Sequence, residues 1–138
     1  MSQMVAEEIE SYLAEARIAD LVTLRNDGFP HVAPVWYQFR SGTLFVMAHT
    51  SSLKVRNIRN DSRVAISIAK QDHPYQYVVV EGTARIIEQT NPDMIKDISI
   101  HYRGPEDGAK FASELLEEGG TVTIEILPTR TITWVDES

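Results

Sequence analysis

The chain has 138 residues, 43% of them hydrophobic, which suits one globular domain spanning 1–138 with a core of ordinary size. Its formal net charge of −7 argues against nucleic acid or an acidic membrane as a partner, since the average field would repel either one. With no cysteine, disulfide frameworks, Cys-based zinc sites, iron–sulfur clusters and thiol catalysis are excluded together, and redox work requires a bound cofactor. The opening "MSQMVAEEIESYLAEA" is acidic and amphipathic where a signal peptide would be basic and then apolar, and no later run is long enough to span a membrane. A soluble cytoplasmic protein is expected. Val5, Ile9, Leu13 and Ala16 recur at helical spacing, predicting a helix of about three turns that covers one end of a sheet or barrel.

From Ile18 the period changes to two. "IADLVTLR", "PHVAPVWYQFR" and "TLFVMAH" read as three strands joined by the turns "NDG" and "SG", an antiparallel meander. A short helix follows over "TSSLKVRNIRNDSRV". "RVAISIAK" resumes strand character before the loop "QDHPY" and the long strand "QYVVVEGTARIIE", in which Gly82 marks a bulge or sharp bend. Asn91 and Pro92 fit the N-cap and first turn of a helix, and a second helix ends on Gly119–Gly120. "TVTIEILPTRTITWVD" closes the chain as one strand bent or broken at Pro128. Short strands with regular turns, and no βαβ run, favour a small antiparallel barrel over a doubly wound sheet.

The basic stretch "TSSLKVRNIRNDSRV" stands out in an acidic chain. On a helical wheel with Leu53 at zero, Asn57 falls near about 40°, Lys54 near about 100°, Ile58 near about 140° and Val55 near about 200°. Lys54 and Asn57 therefore lie within the apolar arc, while Arg59 and Arg56 fall on the opposite, solvated side. A lysine and an asparagine turned toward a sheet need an anion or hydrogen-bonding partners, and a phosphate suits both, with the hydroxyls and amides of "HTSS" at the helix N-terminus beside it. The alternative is structural: Ser51 or Ser52 as the N-cap, Lys54 paired with a carboxylate at the core edge, and the arginines merely solvated.

Four stretches, "VTLRNDGFPHVAPVWY" (22–37), "LFVMAHTSSLKVRNIRNDSRVAISI" (44–68), "PYQYVVVEGTARI" (74–86) and "ILPTRTITWV" (126–135), resemble the pyridoxamine 5′-phosphate oxidase-like superfamily of flavin and deazaflavin split barrels. Ser52, Lys54 and Asn57 match its S-x-K-x-x-N-like element. The middle and last stretches resemble the coenzyme F420 branch more than the pyridoxine-phosphate oxidases, whose basic arm and longer C-terminal segment are absent here. The resemblance implies a mainly β (α+β) fold: a six-stranded antiparallel split β-barrel with flanking helices, forming a homodimer with cofactor sites between the subunits. It implies that Lys54 and Asn57, with Thr50 and Ser52, hold the phosphate end of F420 or FMN. It further implies that Pro34, Val35 and Trp36 border the ring, that Met47, Ala48 and His49 run beside the ribityl-like chain, and that Tyr77 and Trp134 come from the second subunit. The implied activity is hydride transfer to or from a small conjugated substrate, with no dedicated catalytic side chain identified.

Trp36, Tyr37 and Trp134 also suit ordinary core or interface packing. His31, His49, His73 and His101 show no metal-ligand spacing, so no metal is expected, and no Ser/His/Asp constellation can be assembled. Two further readings are a non-catalytic protein that stores or senses the cofactor and a haem-binding or haem-degrading split barrel with His31, His49 or His73 as axial ligand.

Overall fold

Alternating apolar residues on short segments produce strands that bury one face, and the computed structural model, which describes residues 3–136, arranges them in a single curled sheet. The strands are β1 (Ala19–Leu24), β2 (Pro30–Val35), β3 (Gln38–Arg40), β4 (Thr43–His49), β5 (Arg63–Ala69), β6 (Gln76–Ile87) and β7 (Thr121–Val135). Their spatial order is β2-β1-β5-β6-β7-β4-β3, and all pairings are antiparallel. The fold is the expected mainly β split barrel with flanking helices, but with seven strands where six were expected.

The additional strand comes from "PHVAPVWYQFR", which is two strands instead of one. β2 pairs with β1 and β3 pairs with β4, at opposite ends of the strand order. Trp36 and Tyr37 form the crossing, because the chain must leave one partner before it meets the other. Tyr37 is buried there, and its hydroxyl donates to the Glu15 carbonyl at 3.1 Å.

Leu21, Leu44, Val46, Ile66, Ile68, Val78, Val80, Ile124 and Ile126 form the barrel interior, all from alternate positions on their strands. Helix α1 (Ala6–Leu13) adds Tyr12 and Leu13 to that core. It is shorter than the predicted three turns and stops before Ala16: Arg17 Nη1 donates to the Tyr12 carbonyl and its guanidinium lies 3.8 Å over the Tyr12 ring, closing the helix end with a side chain.

Gly82 is the bulge site the sequence suggested. The β6–β7 register slips between Glu81 and Gly82, and Thr129 is the unpaired extra residue, its hydroxyl donating to the Glu81 carbonyl at 3.1 Å. A Cβ at Gly82 would collide with the Leu127 backbone. β7 bends here and continues past Pro128 without breaking.

Helix α3 (Pro92–Arg103) starts as predicted, with the Asn91 side chain accepting from the Met94 amide at 3.1 Å. Helix α4 (Pro105–Glu118) ends at Gly119, with φ +76°. The two pack closely because Gly108 has no Cβ: one placed there would sit 2.5 Å from Ile100 Cα. None of the helices among the described residues is long and apolar enough to cross a membrane.

Candidate functional site

The cavity of interest, about 530 Å³, lies between the outer side of β4, the crossing after β2, and α4. Strand alternation explains one wall: Leu44 and Val46 point into the barrel, so Met47 and His49 face away from it and line the cavity, with Ala48 between them also in the lining. Pro34, Val35 and Trp36 form a second wall where β2 ends. Helix α2 (Leu53–Asn60) contributes Lys54.

Seven of the residues singled out from the sequence are thus brought together: Pro34, Val35, Trp36, Met47, Ala48, His49 and Lys54. Lys54 is half-buried, and no ion pair or hydrogen bond of its ammonium is found among the described residues. Desolvation lowers its pKa from the ordinary lysine value, with no carboxylate to offset that cost. A cation kept partly out of water without a counter-ion has the charge to receive an anionic group.

The rest of the predicted phosphate set is engaged elsewhere. Asn57 is 4% exposed and points into the barrel, its Nδ2 donating to Thr23 Oγ1 at 3.0 Å. The wheel placed Asn57 on the inner arc correctly, but its amide there satisfies a fully buried threonine. Ser52 is the N-cap residue of α2 yet makes no side-chain cap; its Oγ donates to the His49 carbonyl at 2.7 Å. Thr50 Oγ1 accepts from Arg59, which also grips Glu88 at 2.8 Å. Tyr77 and Trp134 stack on each other across β6 and β7, with ring centroids 6.2 Å apart, and neither lines this cavity within one chain.

Trp36 packs against aromatic neighbours and also borders the cavity. It lines the cavity, stacks on Tyr102 at 5.0 Å and meets Phe111 at 5.6 Å. Tyr102 is in turn held by hydrogen bonds: its hydroxyl receives the Tyr37 amide at 3.1 Å and donates to the Arg17 carbonyl at 2.8 Å. Burial pushes the phenols of Tyr37 and Tyr102 above their ordinary pKa, so both stay neutral.

Ile18, Phe111, Leu115, Glu118, Gly119 and Thr121 complete the lining and were not named as site residues from the sequence. Phe111, Leu115 and Glu118 share one face of α4 at spacings of four and three, so the amphipathic signal was present. Periodicity does not say which surface that face covers. Among the described residues, no group of three His, Asp or Glu is arranged to hold a metal.

The bed of Pro34, Val35, Trp36 and Met47, with one unpartnered cation at Lys54, fits a flat apolar ring attached to an anionic tail, and the volume lies in the range of small-molecule sites. A family model described as pyridoxamine 5′-phosphate oxidase matches residues 5–134. Among solved structures, the chain is similar to a conserved hypothetical protein from Mycobacterium tuberculosis, with 25% identity, 98% of this chain and 90% of that chain covered, and a TM-score of 0.79. It is similar to an F420 reductase at 28% identity, covering 89% of this chain and 94% of that one, with a TM-score of 0.73. A FAD-binding protein from Mesorhizobium loti shares the fold at 18% identity, with 99% and 98% covered and a TM-score of 0.73.

Proposed function

The chain belongs to the pyridoxamine 5′-phosphate oxidase family, and from that premise we propose that it is an oxidoreductase using a flavin-type cofactor, with coenzyme F420 preferred over FMN. The observation that carries this reading is Lys54, a half-buried cation with no counter-ion among the described residues, in a mostly apolar cavity. The preference for F420 rests on the resemblance of the middle and last strands and on the likeness to an F420 reductase; Lys54 suits either phosphate-bearing tricycle.

In this reading Lys54 holds the phosphate end by a charge-assisted contact. Pro34, Val35 and Trp36 lie along the ring, and Met47 and Ala48 along the chain linking ring to phosphate. Asn57 braces α2 against Thr23 and so sets where Lys54 stands. When bound, the tricycle supplies hydride transfer to or from a small conjugated substrate. The protein contributes position and a dry apolar wall. Such work fits the cytoplasm.

A second copy of the chain belongs to the same proposal. Val22, Val32, Ala65, Val79 and Ile132 are cross-strand neighbours on the outer side of the sheet, half-buried or exposed in the single chain. That face continues through Ile18 and Pro34 to the mouth of the cavity and carries the Tyr77–Trp134 pair. A homodimer burying it brings two cavities to its interface. Val32→Glu, with its side chain 58% exposed in the single chain, is expected to yield a monomer by light scattering; an unchanged mass rejects this face as the interface.

Titration of the purified protein with F420, FMN and haem, followed by fluorescence quenching and absorbance, tests the reading. Saturable binding of F420 at low micromolar concentration or tighter is expected. FMN binding alone moves the protein to the flavin branch, a Soret band alone supports haem, and binding of none of the three rejects the proposal. Tight binding without turnover of any electron acceptor supports a storage or sensing role instead.

A further inference from the structure

The cavity wall carries a second polar atom without a protein partner among the described residues, Nε2 of the exposed His49. His49 ends β4, and its ring lies beside Gly120, where an added Cβ would come within 2.6 Å of Nε2. The other nitrogen, Nδ1, is engaged twice by Ser51: the Ser51 amide donates to it at 3.1 Å and the Ser51 hydroxyl lies at 2.7 Å. A backbone amide can only donate, so Nδ1 is the acceptor and carries no proton. The neutral ring therefore carries its proton on Nε2, and no protein acceptor meets that N–H among the described residues. Lys54, which lines the same cavity, is likewise without a partner among the described residues.

We propose that His49 is a ligand-binding donor whose Nε2–H, fixed in that tautomer by Ser51, hydrogen-bonds an oxygen of the molecule held by Lys54. This goes beyond a residue lying alongside the ligand: it assigns an atom, a direction and a positioning residue, Ser51, that the family resemblance did not single out. It rests on the reading that an anionic cofactor occupies this cavity. Gly120 belongs to the arrangement because only a residue without a side chain leaves the ring its place, and because its φ of +81° favours glycine. No bond is made or broken in this role. His49 in this state gives a hydrogen bond and keeps its proton.

The test begins with the cofactor-free protein. Long-range ¹⁵N–¹H correlation of the His49 ring at neutral to mildly alkaline pH is expected to show protonated Nε2 and unprotonated Nδ1; the opposite tautomer overturns the inference. Binding of F420 and FMN is then measured for the unsubstituted chain, His49→Phe and His49→Gln, with thermal melts confirming that the variants are folded. His49→Phe keeps a flat ring and loses the donor, and is expected to bind at least about tenfold more weakly, the usual effect of losing a charge-assisted hydrogen bond. His49→Gln places an amide N–H near the position of Nε2 and should recover most of that loss. Equal binding by the unsubstituted chain and His49→Phe overturns the inference while leaving the cofactor reading intact. If the unsubstituted chain binds neither cofactor, the reading fails and the inference falls with it. Riboflavin and the phosphate-free deazaflavin chromophore separate the possible acceptors: a loss confined to F420 and FMN makes the phosphate the acceptor, and a loss shared by the phosphate-free compounds makes it a hydroxyl or carbonyl oxygen of the remainder.

Discussion

Lys54 and Asn57 stand less than one turn apart on the inner arc of α2, yet they serve opposite regions of the molecule. Asn57 enters the barrel, where the fully buried Thr23 accepts a hydrogen bond from its amide. Lys54 stops at the wall of the cavity, half-buried and without a partner among the described residues. The barrel is closed chemistry and the cavity is open chemistry. A polar residue that finds its partner in the fold contributes to stability, and one that does not holds its desolvation cost in reserve until a ligand offsets it.

Substituting these two residues should separate the regions. Lys54→Met is expected to weaken cofactor binding by about 1.5 to 3 kcal/mol, roughly ten- to a hundredfold, while leaving the melting temperature of the cofactor-free protein unchanged or higher. Unchanged affinity would show that the cation is not what holds the ligand. Asn57→Ala should do the reverse, lowering unfolding free energy in urea by about 1 to 3 kcal/mol because the Thr23 hydroxyl loses its buried partner. A folded Asn57→Ala protein that also binds the cofactor tenfold more weakly would assign Asn57 to both regions.

Tyr102→Phe probes the seam between them. It removes the oxygen that receives the Tyr37 amide and the donor to the Arg17 carbonyl, for an expected loss of about 1 kcal/mol in stability, with ring stacking on Trp36 retained. A cofactor affinity that falls with it would mean that the hydroxyl, through Trp36, shapes the cavity wall.

A smaller effect lies in pH. Desolvation lowers the Lys54 pKa in the folded state, so on the alkaline side below the ordinary value of 10.5 the unfolded chain binds more protons than the folded one. Stability of the cofactor-free protein therefore gains a component as pH rises through that window, and Lys54→Met should lack it when urea midpoints are compared across the range. The least effect is expected from Asp61, whose carboxyl Arg63 lowers from 3.8 to about 2. Its contribution is present above 3.8 and lost as pH falls through about 2, but the pair is exposed and water screens it, so Arg63→Ala should leave the acid unfolding midpoint unmoved.

Local signals decided most of the elements. The Asn91–Pro92 helix start, the Gly119 stop, the Gly82 bulge and the inner arc of α2 are set by residues within a few positions of one another, because caps, bulges and helical faces depend on local backbone geometry. The motif Ser52, Lys54 and Asn57 likewise marked the helix that carries the unpartnered cation.

What the sequence by itself determined was therefore the kinds of element, their order, the family likeness and the half of the cavity built from Pro34–Trp36, Met47–His49 and Lys54. The tertiary structure alone decided that "PHVAPVWYQFR" breaks in two, since changing strand partners is an event between distant segments. Only the fold could assign Asn57 to Thr23, 34 positions away, and lay Phe111, Leu115 and Glu118 of α4 over the outer side of β4. A period records which side of an element is apolar or which residue faces inward; the identity of the atoms met there is a property of the folded chain.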